Sequence, residues 1–367
     1  MLYHLLIPLG GPFNVFRYIT FRTACAMVTA LVICYWAYPA FIAWMRRKRM
    51  EQIIRTDGPQ EHVENKVGTP TMGGVVMLAG IAISTLLWAR VDEPRVWMVL
   101  AVTLGYGCVG FYDDWKKVME RSADGLAGRW KLFWQTAIGG GVFGAAYATG
   151  LMDARLHLPF LKHGIVDFAA LWSGAPAILG WVYVGIVVFI LVGASNAVNL
   201  TDGLDGLAIG STITSASTFA VLAYVAGHAT YAEYLYIPHV DGAGELAVFG
   251  LAIVGAGMGF LWYNCYPAQI FMGDVGSLAL GGALAAMSVV TKHEILLALV
   301  GGIFVMEALS VMLQVFWFKR TGKRIFKMAP IHHHFEKEGW SEPKIIVRFW
   351  IISALLALVA LSTLKLR

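Results

Sequence analysis

Charge is what this sequence has least of. Asp, Glu, Lys and Arg make up 14% of its 367 residues, where a soluble domain carries roughly a quarter. Hydrophobic residues reach 58%, so the pair of soluble domains that length alone suggests gives way to a membrane protein. Cysteine is also sparse. Cys25, Cys34, Cys108 and Cys265 contain no C-x-x-C pair, which argues against a disulfide framework or a zinc site. The chain lacks a Gly-x-x-x-x-Gly-Lys-Ser/Thr phosphate loop, so ATP hydrolysis is not expected. It lacks a serine nucleophile elbow and a His-Glu-x-x-His motif. No Lys/Arg stripe with interleaved aromatics is present, which argues against nucleic acid as a partner. The first twenty residues do not read as a signal peptide: Pro8, Gly10, Gly11 and Pro12 interrupt them and no basic stretch precedes them.

What the chain does have is apolar runs. Crossing a bilayer takes about 20 apolar residues, and ten segments qualify: 21–44, 71–89, 96–112, 131–150, 176–195, 206–226, 246–263, 275–291, 295–317 and 345–364. The forty glycines suit close helix packing in lipid. GAGMG (Gly255–Gly259) lies within such a run and reads as packing rather than as a dinucleotide fingerprint. Lys and Arg set the orientation. With the basic stretch Met45–Met50 placed in the cytoplasm, the loops at 45–70, 113–131 and 319–344 hold eighteen of the 28 Lys and Arg, and the opposite loops and termini hold nine. This is the positive-inside bias. The expectation is an all-α polytopic protein, a single domain over 1–367, with both termini outside the cytoplasm. Residues 151–175 alternate weakly, as a small hairpin would.

Five polar runs fall on the cytoplasmic side of that topology: GTPTMGG (Gly68–Gly74), GFYDDWKK (Gly110–Lys117), NAVNLTDGLDGLA (Asn196–Ala208), NCYPAQIFMGDVGS (Asn264–Ser277) and PIHHHFEKEGW (Pro330–Trp340). Their agreement points to one assembled site. Asp113 and Asp114 are adjacent at a membrane boundary, and Asp202, Asp205 and Asp274 add three more acids beside glycine-rich backbone. Ionisable groups beside a bilayer core are costly and mark function. Oxygen ligands without a cysteine or His-x-x-His frame suit Mg²⁺ or Mn²⁺ rather than zinc. His332, His333 and His334 point in different directions and cannot easily ligate one metal together, so hydrogen bonds to phosphate fit one or two of them better. Lys66, Lys116, Lys117, Arg121, Arg129 and Lys131 ring the same face and suit phosphate. Asn264 and Phe271 could bond to and stack on a base. Together these residues predict phosphoryl transfer between a soluble phosphorylated donor and a membrane lipid.

On these motifs the chain resembles the polyprenyl-phosphate N-acetylhexosamine-1-phosphate transferases. The Asp-Asp pair, NLTDGLDGLA and MGDVGS carry the superfamily likeness, while PIHHHFE and GTPTMGG resemble its muramoyl-pentapeptide branch. The resemblance implies a homodimer of ten-helix subunits with a cytoplasmic cleft. It also implies transfer from UDP-N-acetylmuramoyl-pentapeptide to undecaprenyl phosphate with Mg²⁺, giving lipid I and UMP. The alternatives are a UDP-N-acetylglucosamine donor, against which the histidine run speaks, and, more distantly, a transporter. Residue by residue, the likeness assigns Asp113 as base, Asp114 as assisting at the metal or the lipid phosphate, and Asp274 as metal ligand. Asp202 and Asn199 line the cleft, and Lys117 lies near phosphate. Gly203, Leu204, Asp205, Lys66, Asn264 and Phe271 match a nucleoside pocket, and His333 and His334 a contact with the donor. It further implies that the ninth helix bends near Phe318–Gly322.

Overall fold

The computed structural model describes residues 1–48, 50, 68–120, 125–159, 164–171 and 176–364, with the backbone alone at 176 and 177. Lys66 and Arg121 lie outside the described residues. The helices, in chain order, are α1 (Leu2–Leu6), α2 (Ile19–Arg47), α3 (Gly74–Trp88), α4 (Pro94–Glu120), α5 (Gly128–Ala148), α6 (Pro176–Thr201) and α7 (Leu207–Ala226). They continue as α8 (Ala229–Leu235), α9 (Leu246–Asn264), α10 (Gly273–Val290), α11 (Glu294–Val300), α12 (Gly302–Thr321), α13 (Ile331–Lys337) and α14 (Glu342–Ser362). Every apolar segment expected from the sequence is largely helical, the ninth across two helices. Among the described residues, eight helices are long and apolar enough to cross a membrane. The other two segments are α3 and α5. At 15 residues, α3 reaches only about 22 Å. The 21 residues of α5 are long enough but open on Arg129 and Lys131.

Two details differ from expectation. The ninth segment is broken at Gly301, between α11 and α12. Near 318–322 it stops: Thr321 ends α12, and Gly322 takes a left-handed φ of 69° as its cap. The α4 helix runs past residue 112 to Glu120, so the Asp-Asp pair is helical. The weak alternation at 151–175 does form a hairpin. Strands β1 (Arg155–His157) and β2 (Ile165–Asp167) pair antiparallel, with Leu156 opposite Val166, an exception to an otherwise helical fold.

Helix α10 is the axis of the bundle, with 89% of its apolar window buried, whereas α12 buries only 22% and leaves the rest exposed. The central helices approach closely because small residues face each other. A Cβ on Gly255 of α9 would lie 1.9 Å from the Met27 carbonyl of α2, and one on Gly110 of α4 would lie 2.1 Å from the Asp274 carbonyl of α10. The second contact presses the Asp-Asp helix against the start of α10.

Candidate active site

The end of α4 and the starts of α5 and α10 meet at one end of the bundle, and each brings charge. Asp113, Asp114 and Lys117 are three and four residues apart on α4, hence on one helix face. Asp113 and Asp114 are 0% and 4% exposed. Asp274 stands in the first turn of α10, and Lys131 in the first turn of α5. Oxygens of Asp113, Asp114 and Asp274 all lie within 4.8 Å of one another. The Lys117 Nζ reaches all three carboxylates, at 2.5, 3.5 and 3.3 Å respectively. The Lys131 Nζ lies 3.0 Å from Asp113 Oδ1 and 2.6 Å from Asp274 Oδ2. Backbone completes the cradle: Leu126 N–H donates to Asp113 at 2.6 Å and Val275 N–H to Asp114 at 3.1 Å.

The sequence builds this cluster through backbone as much as through side chains. Phe271 N–H donates to the Pro70 carbonyl, Gly73 N–H to that of Phe271 and Gly74 N–H to that of Met272, at 2.8–2.9 Å. GTPTMGG and MGDVGS are thereby zipped together, and Tyr38 holds the Gly73 carbonyl from α2 at 2.8 Å. Gly273 enters α10 at φ 74°, and a Cβ there would lie 2.4 Å from Asp114 Oδ2, so only glycine lets the chain pass over that carboxylate.

The α6–α7 turn carries the next group. Asp202 N–H bonds the Asn199 carbonyl at 3.2 Å, and both residues are half-buried. Asp205 accepts from Ala268 N–H at 2.9 Å, and Asn264 accepts from Gly206 N–H at 3.0 Å while donating to the Ile270 carbonyl. Both side chains therefore fasten this turn to the α9–α10 loop. Leu204 is buried among Leu207, Ile345, Ile346 and Phe349, and the Phe271 ring is half-buried.

The three histidines on α13 occupy three environments. His332 is buried, and its Nδ1 lies 3.1 Å from Glu307 Oε2 on α12, with both side chains at about 0–1% exposure. Its Nε2 faces the turn so closely that a Cβ on Gly203 would sit 2.3 Å away. The ring of His333 lies 4.1 Å from that of His332, and its Nδ1 lies 2.5 Å from Glu336. His334 Nδ1 accepts from Lys327 N–H at 3.2 Å. Lys327 also pairs with exposed Glu338 and lowers its carboxyl below the usual range. All five polar runs are thus joined by contacts. Sequence reading assigned no separate role to Lys131, singled out His333 and His334 rather than His332, and overlooked Glu307. The one signal for Glu307 was an acid inside an apolar span.

Residues 96–292 match the glycosyl transferase family 4. Over its full length the chain is 56% identical to the phospho-N-acetylmuramoyl-pentapeptide-transferase of Pelobacter propionicus. It is likewise 56% identical to that of Syntrophus aciditrophicus and 52% to that of Desulfotalea psychrophila, with 100% of both chains covered each time. The chain belongs to the phospho-N-acetylmuramoyl-pentapeptide-transferase family.

For a member of this family the donor set fits a hard divalent cation. Three carboxylates face two ammonium groups, and each like-charge contact near 4 Å costs on the order of 4 kcal/mol at an effective dielectric of 20. With all three ionised, one negative charge would be left for a cation to balance, and oxygen is the ligand such cations take. The cluster can hold a divalent metal through Asp274, Asp114 and Asp113.

Proposed function

We propose that this chain transfers phospho-N-acetylmuramoyl-pentapeptide from its UDP donor to undecaprenyl phosphate, giving lipid I and UMP. The observation that carries this reading is the Asp113–Asp114–Asp274 cluster, with its two lysines, in a chain that shares over half its residues with transferases named for this reaction. A phosphate oxygen of the lipid attacks the sugar-bearing phosphorus of the donor. A new P–O–P linkage forms, the old one breaks, and its electron pair leaves with UMP. Any proton on the attacking phosphate passes to Asp113, supported by Asp114. Lys117 and Lys131 turn from the carboxylates to phosphate oxygens, where charge-assisted bonds are strongest. Mg²⁺ is the expected ion, held by Asp274 with its neighbours, and supplies charge neutralisation at the phosphates. Asp202 and Asn199 border the cleft. Gly203, Leu204, Asp205, Asn264, Phe271 and Lys66 shape the nucleoside side, and His333 and His334 contact the donor.

The acceptor's long hydrocarbon has a matching surface. An apolar cavity of about 390 Å³ runs along α12, past Met306, Leu309 and Leu313 to Phe326 and Ile331, and Ile331 adjoins His332. The Lys/Arg bias supports a multi-pass inner-membrane protein of ten spans, with the cluster facing the cytoplasm and both termini outside it. The family resemblance supports a homodimer of single-domain subunits. Labelling of single cysteines in the 319–344 loop from each side of the membrane tests the orientation, and native mass spectrometry tests the dimer.

The deciding experiment supplies purified protein with undecaprenyl phosphate and either UDP-N-acetylmuramoyl-pentapeptide or UDP-N-acetylglucosamine, with and without Mg²⁺. UMP release and a lipid of lipid I mass are expected from the first donor alone and only with the metal. Preference for the second donor overturns the substrate, and full turnover in chelator overturns the metal.

A further inference from the structure

One turn further along α5 and α10 than the acidic cluster lies a second polar layer. Gln135 on α5 is its centre and is 0% exposed. Its Nε2 donates to Ser195 Oγ at 2.9 Å, and Ser195 in turn donates to the Leu278 carbonyl at 2.9 Å. Its Oε1 accepts from Asn196 Nδ2 at 3.0 Å, and its own carbonyl accepts from the Tyr106 hydroxyl at 3.0 Å. Four helices meet in this layer: α4 through Tyr106, α5 through Gln135, α6 through Ser195 and Asn196, and α10 through Leu278.

The register of these contacts is what matters. Gln135 stands four residues after Lys131, Leu278 four after Asp274, Tyr106 seven before Asp113 and Asn196 three before Asn199. Each spacing returns to the same face of its helix. The three helices that bring charge to the cluster, α4, α5 and α10, are therefore tied to one another and to α6 within one or two turns of those charges. Lipid supplies little hydrophobic force to hold helices in register, so packing and interhelical hydrogen bonds do that work. Polar side chains buried among apolar helices are uncommon and mark function, and Gln135 makes its side-chain bonds to the neighbouring helix α6.

Resting on the transferase reading above, we propose that Gln135 is a positioning residue. It fixes the height and rotation of α5 against α6 and α10, so that the Lys131 ammonium meets Asp274 and Asp113. Gln135→Leu removes the side-chain hydrogen bonds to Ser195 and Asn196 without adding charge. The expected result is a fall in kcat of about ten- to hundredfold, the scale of a misplacement near 1 Å, with KM for the UDP donor within about twofold. Ser195→Ala is expected to do the same, and the double variant to be no worse than the worse single, because both break one chain of bonds.

The experiment measures kcat and KM for wild type, both single variants and the double variant, with the thermal midpoint of each in detergent. Hydrogen exchange over Gly128–Ala148 gives a reading that needs no substrate, and faster exchange in the first turn is expected for Gln135→Leu. Wild-type kcat in Gln135→Leu overturns the proposal. So do additive losses in the double variant, or a kcat deficit that disappears on cooling in step with recovered folding. Should wild type release no UMP from the muramoyl donor, the functional reading fails instead. The exchange result then decides this proposal alone: unchanged protection of the first turn overturns it.

Discussion

The two ends of the bundle both bury charge, but they settle it differently. At the end away from the cluster, Arg22 and Glu245 form a two-pronged pair, with both contacts at 2.6 Å, and Glu245 also accepts from Arg90 N–H at 2.9 Å. Lys292 nearby is held by the Asp153 carboxylate and by the carbonyls of Asp153 and Arg155. Each of these ions has its own partners within the chain. At the other end two ammonium groups, those of Lys117 and Lys131, are shared among three carboxylates. Both arrangements bear the desolvation of buried ions. A matched pair closes on itself and serves the fold, whereas a cluster short of positive charge has capacity for a ligand that brings it. Charge balance, rather than burial, separates site from scaffold here.

The sharpest way to break that comparison is to alter one residue at each end. Asp274→Asn is expected to lower turnover by about 10²–10⁴-fold, with the thermal midpoint nearly unchanged, because it relieves repulsion among the acids. UMP release per folded molecule checks it, and near-normal turnover would remove Asp274 from the reaction. Arg22→Met is expected to act in the reverse sense. It strands a buried carboxylate, which costs about 3–5 kcal/mol of stability, and leaves kcat per folded molecule as it was. The midpoint in detergent reads the first effect and the UMP assay the second.

Much of this was legible in the sequence. Apolar runs near 20 residues long can only be buried or span lipid, so the ten segments fall on helices, of which eight are long and apolar enough to cross a membrane. The Asp-Asp pair, MGDVGS and the α6–α7 turn stood out because acids are rare beside apolar stretches. The companions of the acids were harder to read. Nothing in the residues around Lys131 sets it apart from the other basic residues of that loop, and only the approach of α5 to α4 brings its Nζ to Asp113. Asp205 and Asn264 have the residue types of a ligand pocket, yet their side chains bond to backbone across the turn. The histidine run showed that three directions were needed, but not which ring α12 would cover. That answer depends on Glu307, 25 residues upstream of His332.

Glu307 tests the comparison at intermediate strength, because it is a buried acid at the site end with one imidazole for company. Glu307→Leu removes a charge whose burial is only partly offset, so the thermal midpoint is expected to hold or rise. Turnover is expected to fall about tenfold as His332 loses the neighbour that orients it, the lower range for such supporting contacts. Stability and activity thus move in opposite senses. A variant that loses stability without losing turnover would make Glu307 part of the scaffold, like Glu245.

The smallest effect belongs to the exposed rim of the scaffold end. Asp92, in the α3–α4 loop, takes contacts from Arg90 Nη2 at 2.6 Å and from His4 at 2.9 Å. The Arg90 hydrogen bond, above all, pushes its carboxyl down to about 2. A depressed carboxyl stabilises the fold above its ordinary value near 4 and loses that contribution as pH falls through about 2. Both side chains are more than 40% exposed, so solvent screening holds the pair below about 1 kcal/mol. Asp92→Asn is therefore expected to shift the midpoint only slightly near pH 7, less in high salt, with the gap to wild type closing between about pH 4 and pH 2. A loss as large as that of Arg22→Met would mean that exposure does not discount an ion pair here, and the distinction between the matched pair inside and its rim would fall.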